Sequence, residues 1–130
     1  MSLPILRVAR ACADLDRLSA QYRAGLDLAE LGRFVDHAGF DGVILGEPGG
    51  AWHLEFVHVR DEPSPPPPHE EQALVVYLPE HRNWLERVAA MERAGFAPVT
   101  AANPYWERVG RSFVDAEGGR VIVQQAAWTA

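Results

Sequence analysis

Apolar and polar positions along the chain fall into two similar series of elements. Ile5 to Cys12 has the short, β-branched apolar character of a strand. Asp14 then offers an N-cap for a helix that carries Leu15, Leu18 and Tyr22 on one face, and Gly25 marks its stop. Leu28 to Phe34 reads as a strand. Gly39-Phe40-Asp41-Gly42 turns the chain into Val43-Ile44-Leu45, and Pro48-Gly49-Gly50 turns it again into Trp52 to Val59. The predicted order is strand, helix, strand, strand, strand. Further on, Ala73 to Leu78 predicts a strand and Pro79 suits the first turn of a helix whose apolar face is Trp84, Val88 and Met91. Gly95 ends that helix, and strands are predicted over Phe96 to Thr100, Arg111 to Val114 and Arg120 to Gln125, the last after Glu117-Gly118-Gly119.

Between the two series lies Asp61-Glu62-Pro63-Ser64-Pro65-Pro66-Pro67-Pro68-His69. Proline fixes φ and lacks the amide donor, so this stretch fits neither a helix nor a central strand. Four consecutive prolines favour polyproline II and span about 12 Å at about 3.1 Å per residue. The halves also echo each other in residues. Ala24-Gly25-Leu26 after the first helix is answered by Ala94-Gly95-Phe96 after the second, and Gly49-Gly50 by Gly118-Gly119. The expected organisation is one α+β domain of two repeated βαβββ modules, module 1 over about 4–60 and module 2 over about 71–127, joined by the linker at about 61–70. Modules this small are expected to pack together, with curved mixed sheets around a cleft that serves as the site.

Composition removes several classes of function. A chain of 130 residues with 48% apolar and 23% charged residues suits a single globular domain. The net charge of −6 argues against a nucleic-acid groove, which needs clustered cations. All 12 basic residues are arginine, so amine nucleophiles and Schiff-base chemistry have no residue to use. The single cysteine, Cys12, lies in an apolar run and reads as a packing residue in a reducing cytoplasm. No apolar run is long enough to span a membrane, and a cytoplasmic location is expected.

The remaining chemistry centres on Glu55, a carboxylate inside the otherwise apolar strand Trp52 to Val59. A carboxylate in that setting pairs with a cation, binds a metal or shifts its pKa. Alternation puts His53 on the face of Glu55 and His58 on the other.

Ala13-Asp14-Leu15, Tyr22 with Gly25-Leu26, Leu31-Gly32, His53-Leu54-Glu55-Phe56 and the turn Asp115-Ala116-Glu117-Gly118-Gly119-Arg120 occur in an order that resembles the vicinal oxygen chelate superfamily. That superfamily includes glyoxalase I, extradiol dioxygenases, bleomycin-resistance proteins and fosfomycin-resistance enzymes. His37-Ala38-Gly39-Phe40-Asp41-Gly42 and Asn103-Pro104-Tyr105-Trp106 resemble a small bacterial glyoxalase-like subgroup within it. The resemblance implies a metal held by four strand positions, which here are Arg7, Glu55, about Gln72 and Ile122, with Gln124 two residues along from Ile122 on the same face. Only Glu55 is a strong ligand; Gln72 is a poor one, and Arg and Ile bind no ion.

The resemblance therefore implies a protein that binds a small organic ligand without a complete metal site and without a cofactor. The candidate contacts are Arg7, Gln72, Tyr105, Trp106 and Gln124, with Glu55 either paired to Arg7 or acting as a general base. Loss of Arg7 is expected to destabilise the fold by several kcal/mol through a stranded Glu55. The alternative is a metal-dependent lyase, isomerase or dioxygenase with a non-standard site, in which Glu55 and Gln72 help to hold one nickel, zinc, manganese or iron ion. Both imply a homodimer and no nucleic-acid or membrane partner.

Overall fold

The computed structural model describes residues 4–129, which form two compact units divided between Pro66 and Pro67, inside the proline-rich linker. The first unit contains β1 (Leu6–Ala11), α1 (Leu15–Leu26), β2 (Ala29–His37), β3 (Phe40–Gly46) and β4 (Trp52–Val59). The second repeats the order with β5 (Ala73–Tyr77), α2 (His81–Arg93), β6 (Ala97–Val99), β7 (Gly110–Val114) and β8 (Arg120–Gln124). This is the α+β, twice-repeated βαβββ architecture that the sequence pattern predicts.

Each unit builds one four-stranded mixed sheet, ordered β1-β4-β3-β2 in the first and β5-β8-β7-β6 in the second. The first strand pairs parallel with the last, as a helical crossover requires, while the other pairs are antiparallel. In the first unit, α1 packs on one sheet face. Leu18, Tyr22, Val43, Leu45, Leu54 and Phe56 are buried there, and the Tyr22 and Phe56 rings lie 4.9 Å apart. Alternation then sends Arg7, His53 and Glu55 to the face turned away from α1. In the second unit, α2 meets β8 through Trp84, whose Nε1 donates to the Val123 carbonyl, and Arg111 lies over the Trp84 ring. Gly110, Ile122 and Gln124 point to the opposite face.

Local signals explain most element ends. The Asp14 side chain caps α1 by accepting from the Arg17 amide. The helix does not stop at Gly25, which is buried in its last turn; Asp27 closes it with φ 56° and an amide bonded to the Arg23 carbonyl, because Asp tolerates the left-handed region. Pro79 does not enter α2 but lies before Glu80, the N-cap, since Leu78 still donates its amide to Gln124 across the sheet. Strands β2 and β3 run further toward each other than the predicted turn allows. Ala38 (φ 54°) and Gly39 (φ 89°) alone make a two-residue hairpin turn of the left-handed kind that matches strand twist. The Asp41 carboxylate ties this hairpin by accepting from the Asp36 amide and from Arg60. Asn103-Pro104-Tyr105-Trp106, between β6 and β7, contains a 3₁₀ turn over Pro104–Glu107, started by the Asn103 side chain accepting from the Tyr105 amide.

Candidate functional site

The first cluster of interest is made by β1 and β4. Their parallel register places Arg7 beside His53 and Ala9 beside Glu55 on one face. Arg7 Nη1 lies 3.5 Å from Glu55 Oε1, and Arg7 Nε donates to His53 Nδ1 at 3.3 Å. The planar guanidinium thus holds a carboxylate and an imidazole together. The Arg7 side chain is 43% exposed and that of Glu55 16%, so the pair sits at the edge of solvent and not inside a dry core. That exposure lowers the several-kcal/mol penalty expected for losing Arg7, because water can reach the carboxylate left behind. His58, on the other face, donates to the Cys12 carbonyl and takes no part. Cys12 itself is 1% exposed and packs in the core.

This donor set does not fit a divalent ion. Such an ion needs three deprotonated protein ligands, and here Glu55 and His53 are both engaged by a guanidinium that stays protonated. Among the described residues, no group of three His, Cys, Asp or Glu side chains comes together. Gln72, expected to open β5, lies one residue before it and is exposed. Its Oε1 accepts from the His69 amide and its own amide donates to the His69 carbonyl, closing a turn at the end of the linker.

The second cluster lies in the second unit. Tyr77, Tyr105, Arg108, Val109, Gln124 and Trp128 are among the residues that line a pocket of about 310 Å³. Tyr77 and Gln124 are register partners on β5 and β8, and Gly110 on β7 pairs with Gln124 from the other side. The missing Cβ of Gly110 leaves the room that the Gln124 amide fills. Gln124 is 2% exposed, yet its Oε1 receives no hydrogen bond. Trp106 meets Tyr105 edge-on, with ring centroids 5.0 Å apart, and lies outside the pocket lining. Of the sequence candidates, then, Arg7 meets Glu55 in one unit, Tyr105 and Gln124 line one pocket in the other, and Gln72 joins neither.

Residues 6–57 match the YycE-like N-terminal domain and residues 71–125 the YycE-like C-terminal domain. The chain is 33% identical over 117 residues to the YycE protein of Bacillus subtilis strain 168, covering 90% of this chain and 84% of that one. The chain belongs to the YycE-like family. A crystal structure of a Bacillus subtilis YycE protein superposes with a TM-score of 0.89 at 31% identity, covering 97% of this chain and 92% of that one. A glyoxylase/bleomycin resistance protein/dioxygenase domain from Frankia sp. EAN1pec gives a TM-score of 0.70 at 18% identity, covering 93% of this chain and 95% of that one; it supports the fold alone. With these neighbours the YycE-like fold falls within the vicinal oxygen chelate superfamily, as the sequence motifs indicate.

His53 as a second partner of Arg7, and Tyr77, Arg108, Gly110 and Trp128 around Gln124, are additions that the structure makes. The His53 contact follows from parallel register, a signal present once β1 and β4 are paired. The Gly110–Gln124 fit depends on which residues face each other across β7 and β8, which no local pattern in the sequence specifies.

Proposed function

We propose that this YycE-like protein binds a small organic ligand without a divalent ion, in the manner the resemblance to bleomycin-resistance proteins implies. The observation that carries the reading is the Arg7 guanidinium on Glu55, a cation of the protein itself where the superfamily pattern expects metal donors. A guanidinium with a solvent-facing edge can accept an anionic or carbonyl-bearing group in the same geometry in which it holds a carboxylate. Glu55 is the candidate general base should a reaction occur, since it is the carboxylate held beside that cation. The reading includes a cytoplasmic homodimer. Exposed Ile5, Leu6, Val8 and Trp52 around the β1 edge support a self-association surface, which sedimentation equilibrium would measure.

The test is elemental analysis of the purified protein, followed by thermal titration with nickel, zinc, manganese and iron. No stoichiometric ion and no thermal shift are expected, whereas a screen of small anionic and aromatic compounds should raise the melting temperature. About one ion per chain, lost in Glu55→Ala, would overturn the reading and move the protein to the metal-dependent lyases, isomerases and dioxygenases.

A further inference from the structure

We infer that the Arg7–Glu55–His53 cluster binds one oxygen of an uncharged carbonyl ligand, such as a ketone or an amide, in preference to a carboxylate, and that His53 positions Arg7 for it. The inference rests on the ligand-binding reading above and narrows its two ligand classes to one. Arg7 Nε donates to His53 Nδ1 at 3.3 Å, and Arg7 Nη1 to Glu55 Oε1 at 3.5 Å. A guanidinium keeps all its protons, so the imidazole nitrogen that faces it must offer a lone pair. His53 is therefore neutral, with its proton on Nε2. With a positive charge on Arg7, a negative one on Glu55 and none on His53, the cluster sums to zero. Two contacts from different guanidinium nitrogens also fix the plane of the group, whereas Glu55 alone would leave it free to turn about one long contact.

Neutrality decides the ligand class. A second carboxylate brought to Arg7 would stand beside Glu55, whose side chain is 16% exposed and so weakly screened, on a chain whose net charge is already −6. A carbonyl oxygen accepts from the same N–H groups and adds no charge. The donor is there to be used: Arg7 Nη2 makes no hydrogen bond among the described residues, and solvent reaches the Arg7 side chain. The neighbouring surface suits an apolar body. Ile44 is the register partner of Glu55, and beyond it on the same face the Phe34 ring lies over Gly42, where a Cβ would collide with the ring.

The experiment uses the full chain. Long-range proton–nitrogen NMR of the His53 imidazole should show a protonated Nε2 and a bare Nδ1 at neutral pH; a protonated Nδ1 would overturn the inference. Titration with acetophenone, benzamide and benzoate, followed through the Arg7 Nε–H signal, then reads the preference. Acetophenone or benzamide should bind at least about tenfold more tightly than benzoate, which has the same ring but a carboxylate in place of the neutral carbonyl. Glu55→Gln leaves the Arg7 charge unbalanced and should reverse that order. His53→Leu should weaken carbonyl binding, and His53→Asn, whose Oδ1 can stand in for Nδ1, should restore it; a His53 with a merely structural role would not separate the two. Benzoate binding as tightly as the carbonyl compounds, and losing its affinity in Arg7→Met, would overturn the inference and leave the ligand-binding reading standing. If none of the three binds, the Arg7-dependent hits of a wider screen decide in the same way, uncharged carbonyls for the inference and anions against it, and a screen without hits removes both readings.

Discussion

Replacing Arg7 by Met and Glu55 by Gln, singly and together, isolates the one ion pair on which the metal-free reading rests. At a separation of 3.5 Å, two unit charges attract by about 1 kcal/mol in bulk water and about 5 kcal/mol at an effective dielectric of about 20. The Arg7 side chain is 43% exposed, which places the pair near the lower figure, and fixing two long side chains removes part of that. The expected coupling energy is therefore about 1 kcal/mol. Arg7→Met alone should cost about 1 to 2 kcal/mol, because Glu55, 16% exposed, loses its charged partner. Urea unfolding of the four proteins at low and at molar salt would measure this, with the coupling shrinking as the Debye length falls to about 3 Å. A coupling above about 3 kcal/mol that ignores salt would mean a dry, buried pair. No coupling at low salt would mean that the guanidinium does not hold Glu55 in solution, and the argument that it replaces metal donors would fail.

Three other outcomes are expected. Arg7→His would place a third ligating side chain beside His53 and Glu55, so zinc should stabilise that variant by about 2.7 kcal/mol at a hundredfold excess over its dissociation constant, reversibly with chelator and not when Glu55→Gln is added; absence of a zinc-dependent melting shift would show that the three positions do not converge. Ala38→Asn should stabilise the first unit by about 0.5 to 1 kcal/mol, because Ala38 holds φ 54° at a turn position that Asn tolerates better; a lower urea midpoint would contradict the turn geometry. Hydrogen bonds from Arg60, and then from the Asp36 amide, hold the Asp41 carboxyl below its ordinary range, so its contribution is full above the unfolded pKa and is lost as pH falls through the lower folded value. Asp41→Asn should be the less stable protein at neutral pH, with the gap closing on acidification; a gap that widened in acid would reverse the assignment.

The fold was legible because its signals are local. Asp14 announces α1, Gly95 follows α2, and the proline run separates two copies of one pattern; each depends on backbone chemistry within a few residues. Where reading failed, a neighbour distant in sequence or a less common conformer had intervened. Gly25 looked like a helix stop, but Asp27 could adopt the left-handed conformation, so the helix continued. The tight Ala38-Gly39 turn let β2 and β3 extend past the predicted glycine turn. For the candidate site, the meeting of Arg7 with Glu55 was visible through family resemblance. The seating of Gln124 against Gly110, and its companions Tyr77 and Arg108, were set by register and by a 3₁₀ turn that single-sequence reasoning does not position.

Parallel pairing of β1 with β4 has a consequence for the order in which the molecule assembles. Strands β2, β3 and β4 are joined by short turns and can zip as a meander, whereas Arg7 meets His53 only across a separation of 46 residues. Closing that long loop is the slow, entropically expensive part of making the sheet. Strand β1 is also one edge of the sheet, with Leu6 and Val8 exposed, and it is held through β4 alone. Docking of β1 across that loop is expected to come late in folding, and its detachment opens the sheet without breaking the β2-β3-β4 meander. The Arg7–Glu55–His53 cluster exists only while that strand is home, which ties its lifetime to amide exchange along Leu6–Ala11 and not to global unfolding.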